Sequence, residues 1–169
     1  TVGITACMTT SDDQTTVMNA TGAFTKTFAA WAVGSGNGGL DTGAIAATTW
    51  YHVFQIVRTD TSVADYLIST SATAPTLPAS YTKQRRLGSI RTDATPAILA
   101  FTQDGDLFLW LNFIADVPGV GNPGTAAVTR TLTVPTGVTV RALVYWLIQP
   151  SAGTSAAMLV TSLVAADET

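Results

Sequence analysis

The chain has 169 residues, a formal net charge of −3 and 11% charged residues, with one histidine, one cysteine and a single glutamate, Glu168. Proton transfer and nucleophile activation in enzymes rely mostly on His, Glu, Asp, Lys and Cys, so this composition disfavours an enzyme. Nonspecific nucleic-acid binding needs a strongly basic face, which the negative charge disfavours, and Cys7 alone cannot form an intrachain disulfide.

The length favours one domain over residues 1–169, because a chain of this size can bury a full hydrophobic core. Hydrophobic residues make up 47% of the chain, yet its longest apolar stretches, 107–115 and 142–148, are shorter than the ~20 residues of a membrane-spanning helix. We therefore expect no membrane insertion, and we expect apolar surface to be buried between subunits. The first residues show no basic region before an apolar core, so no signal peptide is expected.

The first half of the chain predicts short strands rich in Val, Ile, Thr and aromatic residues, separated by turn residues. In chain order they cover residues 2–9, 15–18, 24–31, 44–47, 49–59 and 63–69, with a turn at 19–22. The clearest is 49–59. One face of this strand is lined by Trp50, His52, Phe54 and Ile56, and the other by Tyr51, Val53, Gln55 and Val57. The turn at residues 59–62 joins this strand to the next, which predicts a hairpin.

The second half predicts strands at residues 87–92, 97–102, 107–114, 128–134, 138–149 and 157–164. The Asp-Gly turn at residues 103–106 joins the strands on either side of it into a second hairpin. Residues 34–39 and 71–80 are predicted loops, and the one helical pattern, at 27–32, is too short to stand alone. A parallel α/β fold would need longer crossovers. The pattern therefore predicts an all-β fold, an antiparallel β-sandwich that is jelly-roll-like.

Four segments in the middle of the chain form distinctive strings. They are WAVGSGNGGLDTG at residues 31–43, TWYHVF at 49–54, STSATAPTLP at 69–78 and YTKQRRLGSIRTD at 81–93. These strings resemble a domain of phage and prophage virion proteins of the tail-fibre type, over about residues 27–115. The resemblance implies a surface appendage of the virion that forms a homo-oligomer, often a trimer, and it implies no catalytic residues.

The candidate anion site is a basic segment that holds four of the eight Lys and Arg residues: Lys83, Arg85, Arg86 and Arg91. Arginine binds phosphate and carboxylate groups through two parallel hydrogen bonds, so phosphorylated or acidic surface glycans are the expected ligands. The alternative is structural: an interface, or ion pairs with Asp93, Asp104, Asp106 or Asp116.

Trp31 and Tyr81 adjoin loops and are the candidate sugar-stacking residues, because aromatic faces bind the C–H faces of sugars. Three further tryptophans lie within apolar strands and are expected in the core: Trp50, Trp110 and Trp146. His52 lies in the middle of a strand and is expected to be a half-buried structural residue. A catalytic histidine would need a nucleophile and an orienting acid beside it.

Neither a metal nor another cofactor is expected. Asp104 and Asp106 could ligate Ca²⁺, but no glutamate follows at the EF-hand distance, and Asp-Gly is a common hairpin turn. The aspartates at residues 12–13 also lack a following glutamate at the EF-hand distance. The glycine-rich residues 34–39 are followed by Leu and Asp, where a phosphate-binding loop has Lys and then Ser or Thr.

These observations lead to one functional hypothesis and two alternatives. The hypothesis is a non-enzymatic domain at the virion surface that oligomerises and attaches to a host-surface glycan or another virion protein. The first alternative is a head-decoration or capsid-spike domain that stabilises the particle. The second is a glycan-processing enzyme, which needs two carboxylates about 5–10 Å apart. Aspartates would have to supply them, and most of these lie in predicted turns.

Overall fold

Ten β-strands and no helix occur in the computed structural model, which describes residues 1–105, 107–119 and 126–147. The strands are β1 (Val2–Ile4), β2 (Cys7–Thr10), β3 (Val17–Ala20), β4 (Phe24–Ala30), β5 (Gly38–Leu40), β6 (Trp50–Val57), β7 (Ala64–Ser69), β8 (Lys83–Arg91), β9 (Phe101–Asp104) and β10 (Leu107–Trp110). The predicted all-β class is confirmed over these ranges. None of their residues forms a helix long and apolar enough to cross a membrane.

Six strands form one sheet in the order β1-β4-β5-β7-β6-β8, which leaves β1 and β8 at its edges. Both neighbours of β5 run parallel to it, while the other pairs are antiparallel, so this sheet is mixed rather than wholly antiparallel. The remaining pairs, β2–β3 and β9–β10, are antiparallel hairpins. The jelly-roll topology and the single domain over residues 1–169 stay predictions.

The short strand β5 explains the mixed directions. Its first two residues, Gly38 and Gly39, belong to the segment that the sequence predicts to be a loop throughout. A Cβ atom on Gly38 would lie 1.9 Å from the carbonyl oxygen of Ala30. Glycine lets the backbone approach β4 this closely, so a three-residue strand fits between β4 and β7. An element this short carries too little alternation to be recognised in the sequence.

β6 lies between β7 and β8, and all eight of its residues are buried. It forms the predicted hairpin with β7, where Val53 lies opposite Ile68 and Val57 opposite Ala64. Its pairing with β8 contains a β-bulge after Val53. The strongest strand pattern of the sequence therefore marks the best-paired strand of the sheet.

Alternate residues of β6 belong to two separate hydrophobic clusters. The first contains Leu40, Tyr51, Val53, Ile68 and Ile90, and the second contains Phe54, Ile56, Leu67 and Tyr81. Successive side chains of a strand point to opposite faces, so both faces of the sheet are covered. This arrangement confirms a sandwich-like fold.

The two hairpins pack beside the main sheet. The β9–β10 hairpin confirms the second predicted hairpin. The ring centroid of Trp50 lies 5.6 Å from that of Trp110 and 6.1 Å from that of Phe108, so Trp50 is in the core as predicted. The β2–β3 hairpin buries Met18, whose carbonyl oxygen accepts a hydrogen bond from Gln55 Nε2 at 3.4 Å.

Several strand boundaries differ from the prediction. The strand predicted at residues 2–9 divides into β1 and β2, and part of the turn predicted at 19–22 belongs to the end of β3. The helical pattern at 27–32 overlaps β4, and β8 begins before residue 87. Residues 44–47 form no strand. Local propensity is too weak to fix these boundaries, which depend on the pairing partner.

The strands predicted after residue 126 do not form within the described chain. Residues 128–134 and 138–147 are irregular, while residues 148–149 and the strand predicted at 157–164 lie outside the described residues. Large apolar side chains of 138–147 are exposed: Val140, Leu143, Val144, Tyr145, Trp146 and Leu147. Trp146 is therefore not in the core, contrary to prediction. Residues 138–147 have a strand-like sequence, but a strand also needs a neighbouring strand that hydrogen-bonds to its backbone groups.

Candidate functional site

The basic segment lies on β8, but its four cations do not form one patch. Lys83 pairs with Asp13, and Arg85 Nη1 lies 3.6 Å from Asp12 Oδ1. The Lys83 ammonium and two neighbouring hydroxyls hold the pKa of Asp13 well below its usual range. Both cations thus have acidic partners within the chain, at residues 12–13 rather than at the described aspartates Asp93, Asp104 and Asp116. These partners lie in a loop about 70 positions earlier, and spacing alone gives no signal for such a contact.

Arg85 remains the most accessible cation of the segment. Its side chain is 48% exposed, and its ion pair with Asp12 is long. A guanidinium has five N–H donors, so it can bind an anion while it keeps this contact. A pocket of about 160 Å³ lies beside the pair, between residues 11–13 and 82–84.

Arg86 and Arg91 are placed differently. Arg86 Nη1 donates to Ser89 Oγ at 3.2 Å, and its charge lies near His52. The Nε atom of Arg91 is buried and has no hydrogen-bond partner among the described residues. Adjacent residues of a strand point to opposite faces, so Arg85 and Arg86 do not serve one ligand.

The two predicted stacking residues contact each other, but in the core. Tyr81 is 6% exposed, and its ring meets Trp31 edge to face with centroids 5.2 Å apart. Trp31 is half-buried and donates from Nε1 to the carbonyl oxygen of Tyr66 at 3.0 Å. Tyr81 is therefore too buried to stack on a sugar, because the loop before it covers the sheet and packs Leu77 into the same cluster.

A buried ion pair that sequence reasoning missed lies beside Trp31. Lys26 Nζ is 2.8 Å from Asp65 Oδ1, and the two side chains are 0% and 1% exposed. Lys26 also donates to the carbonyl oxygens of Ala32 and Gly34, at 2.8 and 2.9 Å. The Gly34 N–H donates to Asp65 Oδ2 at 2.7 Å. These bonds offset the cost of burying two charges, and they fix the loop between β4 and β5.

A signal for this ion pair exists in the sequence. Lys26 is the one charged residue of β4, and Asp65 is the one charged residue of β7. A lone charge inside an apolar strand needs a partner of opposite sign when it is buried. The criterion marks both residues as needing a partner, but it does not identify which one, because β4 and β7 lie on either side of β5 and are not paired.

Polar contacts also hold β2 against the sheet. Thr9 Oγ1 donates to Gln55 Oε1 at 2.6 Å, and Cys7 Sγ lies 3.2 Å from the hydroxyl oxygen of Tyr66. Burial, and then the contact with Cys7, raise the pKa of Tyr66. Gln55 and Tyr66 are opposite each other in the β6–β7 hairpin. The β2–β3 hairpin is therefore docked on two neighbouring strands at once.

His52 is fully buried rather than half-buried, and its contacts are structural. Its Nδ1 lies 2.9 Å from Ser89 Oγ, across the β6–β8 pair, while Nε2 has no hydrogen-bond partner in the described chain. Burial, and then the positive charge of Arg86, lower the pKa of His52, and the backbone of Thr136 acts in the opposite direction. Among its described hydrogen-bond partners there is no carboxylate to orient the ring as in a catalytic triad.

A cleft of about 510 Å³ lies between the two edges of the six-stranded sheet. Residues 2–5 line one side, residues 87–90 line the other, and Cys7, Val53, Phe101, Gln103 and Gly105 complete it. β1 and β8 are at opposite ends of the strand order, so their meeting at one cleft shows that the sheet curls. None of these lining residues carries a charge, which suits an uncharged partner.

Within residues 1–105, 107–119 and 126–147, no group of three or more His, Cys, Asp or Glu could hold a metal ion. Asp104 ends β9, while Asp106 lies outside the described residues. The aspartates at residues 12–13 are paired with Lys83 and Arg85. The structure therefore gives no argument for the Ca²⁺ alternative.

No protein-family model, curated protein or solved structure matches this chain. The exposed apolar residues, the basic segment and the cleft are therefore the features of the molecule that bear on its function.

Proposed function

We propose that this chain is a non-enzymatic assembly and attachment domain at the surface of a phage virion. Three copies associate, and the assembly contacts a host-surface glycan or another virion protein. One observation carries the assembly: large apolar side chains are exposed along residues 107–113 and 140–147, and Phe113 is 92% exposed. Monomers rarely leave so much apolar surface exposed, whereas subunit interfaces bury it.

The association is tested by light scattering on the purified full chain at micromolar concentration. The wild type is expected to contain three chains. Tyr145→Asp places a charge on the exposed apolar segment and is expected to give monomers. The matched control is Val33→Asp, since Val33 is also exposed but lies in the loop after β4. A monomeric wild type, or a Tyr145→Asp variant that keeps three chains, would contradict the proposal.

The attachment part of the proposal rests on the resemblance to virion appendages and on the exposed Arg85. Its guanidinium suits a phosphorylated or acidic glycan. Arg85→Ala is expected to lower binding of the domain to host cells several-fold without changing its oligomeric state. Arg58→Ala is the control, because Arg58 is an arginine with a partly exposed ion pair elsewhere on the surface. Equal binding by both variants would remove Arg85 from the attachment site.

The position of the domain on the particle separates the two virion hypotheses. An antibody against the domain is expected to label the tail in electron micrographs. Uniform labelling of the head would instead favour a decoration or spike domain that stabilises the capsid.

A further inference from the structure

The cleft lies between β1 and β8, the two strands at the ends of the six-stranded sheet. The outer edge of β8 is partly covered, because the carbonyl oxygens of Gln84, Leu87 and Arg91 accept hydrogen bonds from Asp12 N, Gln103 Nε2 and Leu99 N. β1 has β4 as its one strand neighbour, and β8 has β6. Val2 and Ile4 of β1 pack against the cluster that contains Val53 and Ile90, so the two edges approach each other over one apolar floor. Edge strands present unpaired backbone N–H and C=O groups, and an added strand satisfies them.

Residues 138–147, which we call the arm, have a strand-like sequence but belong to no sheet in the described chain. Their sequence, VTVRALVYWL, is rich in β-branched and aromatic residues and contains one charge, Arg141. The apolar run from Ala142 to Leu147 is typical of a strand buried on both faces. Yet the arm forms no strand in the described chain, and Leu143 is 79% exposed. The arm therefore has no neighbouring strand to pair with in the described chain.

We propose that the arm of one copy of this chain enters the cleft of a second copy and pairs with β1, the more open of the two edge strands. The chemistry of the two parts agrees, because the lining of the cleft is uncharged and the arm is almost entirely apolar. Gly3 on β1 leaves open space, since a Cβ atom there would meet no atom within 4 Å. Each inserted arm extends the sheet of its neighbour and buries apolar side chains that are exposed in a single chain.

The route of the chain favours a second copy over the arm's own cleft. A Cβ atom on Gly137, which precedes the arm, would lie 2.9 Å from the side chain of Ala72, and Thr136 lies against His52. His52 and Val53 are successive residues of β6 and point to opposite faces. The arm therefore leaves from the His52 face, while the cleft lies on the Val53 face. To reach its own cleft, the arm would have to pass around the sheet to the other face. A neighbouring copy can present its cleft on the side from which the arm leaves.

The test uses Cys7, the one cysteine of the chain, which lines the cleft. Leu143→Cys and Val144→Cys are made separately in the full-length chain, and a short bismaleimide cross-links thiols that lie close together. Neighbouring residues of a strand face opposite sides, so one of the two variants is expected to cross-link to Cys7 of another copy. We expect at least about ten-fold more of this product than with Val33→Cys, since a seated arm gives the thiols a high effective concentration. Val33 is exposed but lies outside the arm.

Coexpression of tagged and untagged chains shows whether the linked residues belong to different copies, and peptide mapping identifies the 7–143 or 7–144 product. The proposal rests on the homo-oligomer proposed above, and the outcomes separate the two. An interchain product supports the inference. Three chains by light scattering without this product overturn the inference and leave the oligomer intact. A monomer overturns both, and a product within one chain shows that the arm fills its own cleft.

Discussion

β6 and the arm are similar in sequence but not in structure. Both are apolar segments with aromatic and β-branched residues, yet all eight residues of β6 are buried and the arm exposes most of its large side chains. β6 has a strand on each side and a hydrophobic cluster on each face. The arm has neither in the described chain. An apolar strand pattern therefore becomes a strand only where the fold supplies an edge and two covering layers.

The largest effect is expected at the buried ion pair between Lys26 and Asp65, which lies in the same sheet as β6. Asp65→Ala leaves the Lys26 ammonium buried without its counterion, which is expected to lower the free energy of unfolding by about 3–5 kcal/mol. Urea denaturation followed by tryptophan fluorescence measures this loss. Asp60→Ala removes an exposed ion pair with Arg58 and is expected to change stability little. Equal effects of the two variants would show that the buried pair does not anchor the loop.

A matched pair of leucines compares the two regions directly. Leu67 is 0% exposed and Leu143 is 79% exposed. Leu67→Ala is expected to lower the free energy of unfolding by about 2–5 kcal/mol, since it leaves a cavity in the core. Leu143→Ala is expected to leave the melting of the isolated chain unchanged and to weaken self-association. Similar destabilisation of diluted monomers by both would mean that the arm packs on its own chain.

Gly38→Ala tests whether β5 depends on close backbone approach. The added Cβ atom would collide with the Ala30 carbonyl group, and the backbone shift is expected to cost about 1–3 kcal/mol. Gly22→Ala is the control, because a Cβ atom there meets nothing within 4 Å. Thermal unfolding of both variants gives the comparison, and unchanged stability of Gly38→Ala would contradict the tight fit of β5.

The smallest expected effect is a dependence of stability on pH. Burial lowers the pKa of His52 in the folded chain, whereas the unfolded chain keeps the ordinary value of about 6.5. The unfolded chain therefore binds more protons, so the free energy of unfolding falls as the pH decreases from 7 to 5. His52→Gln keeps a polar group near Ser89 and is expected to flatten this slope. A slope that survives the substitution would assign it to other groups.

The run of aromatic and β-branched residues at 49–57 was sufficient to predict β6 and its hairpin, because a strand buried on both faces reads as a nearly continuous apolar run. β5 could not be predicted in this way, since its position depends on the contact of Gly38 with β4. The partners of Lys83 and Arg85 and the burial of Tyr81 also depend on distant segments. The local sequence predicts whether a residue will be buried or paired, but its partner depends on which distant segment folds beside it.

The place of β5 also bears on the order in which the chain folds. The β6–β7 hairpin joins neighbouring segments and can form early, because short loops close quickly. β5 has to settle between β4 and β7, and it pairs parallel with both. Contacts between distant segments carry a larger loop-closure cost before they are rewarded. β5 pairs with β4 across a short loop and with β7 across a longer one, so we expect β5 to join β4 first and the sheet to close when β5 reaches the β6–β7 hairpin.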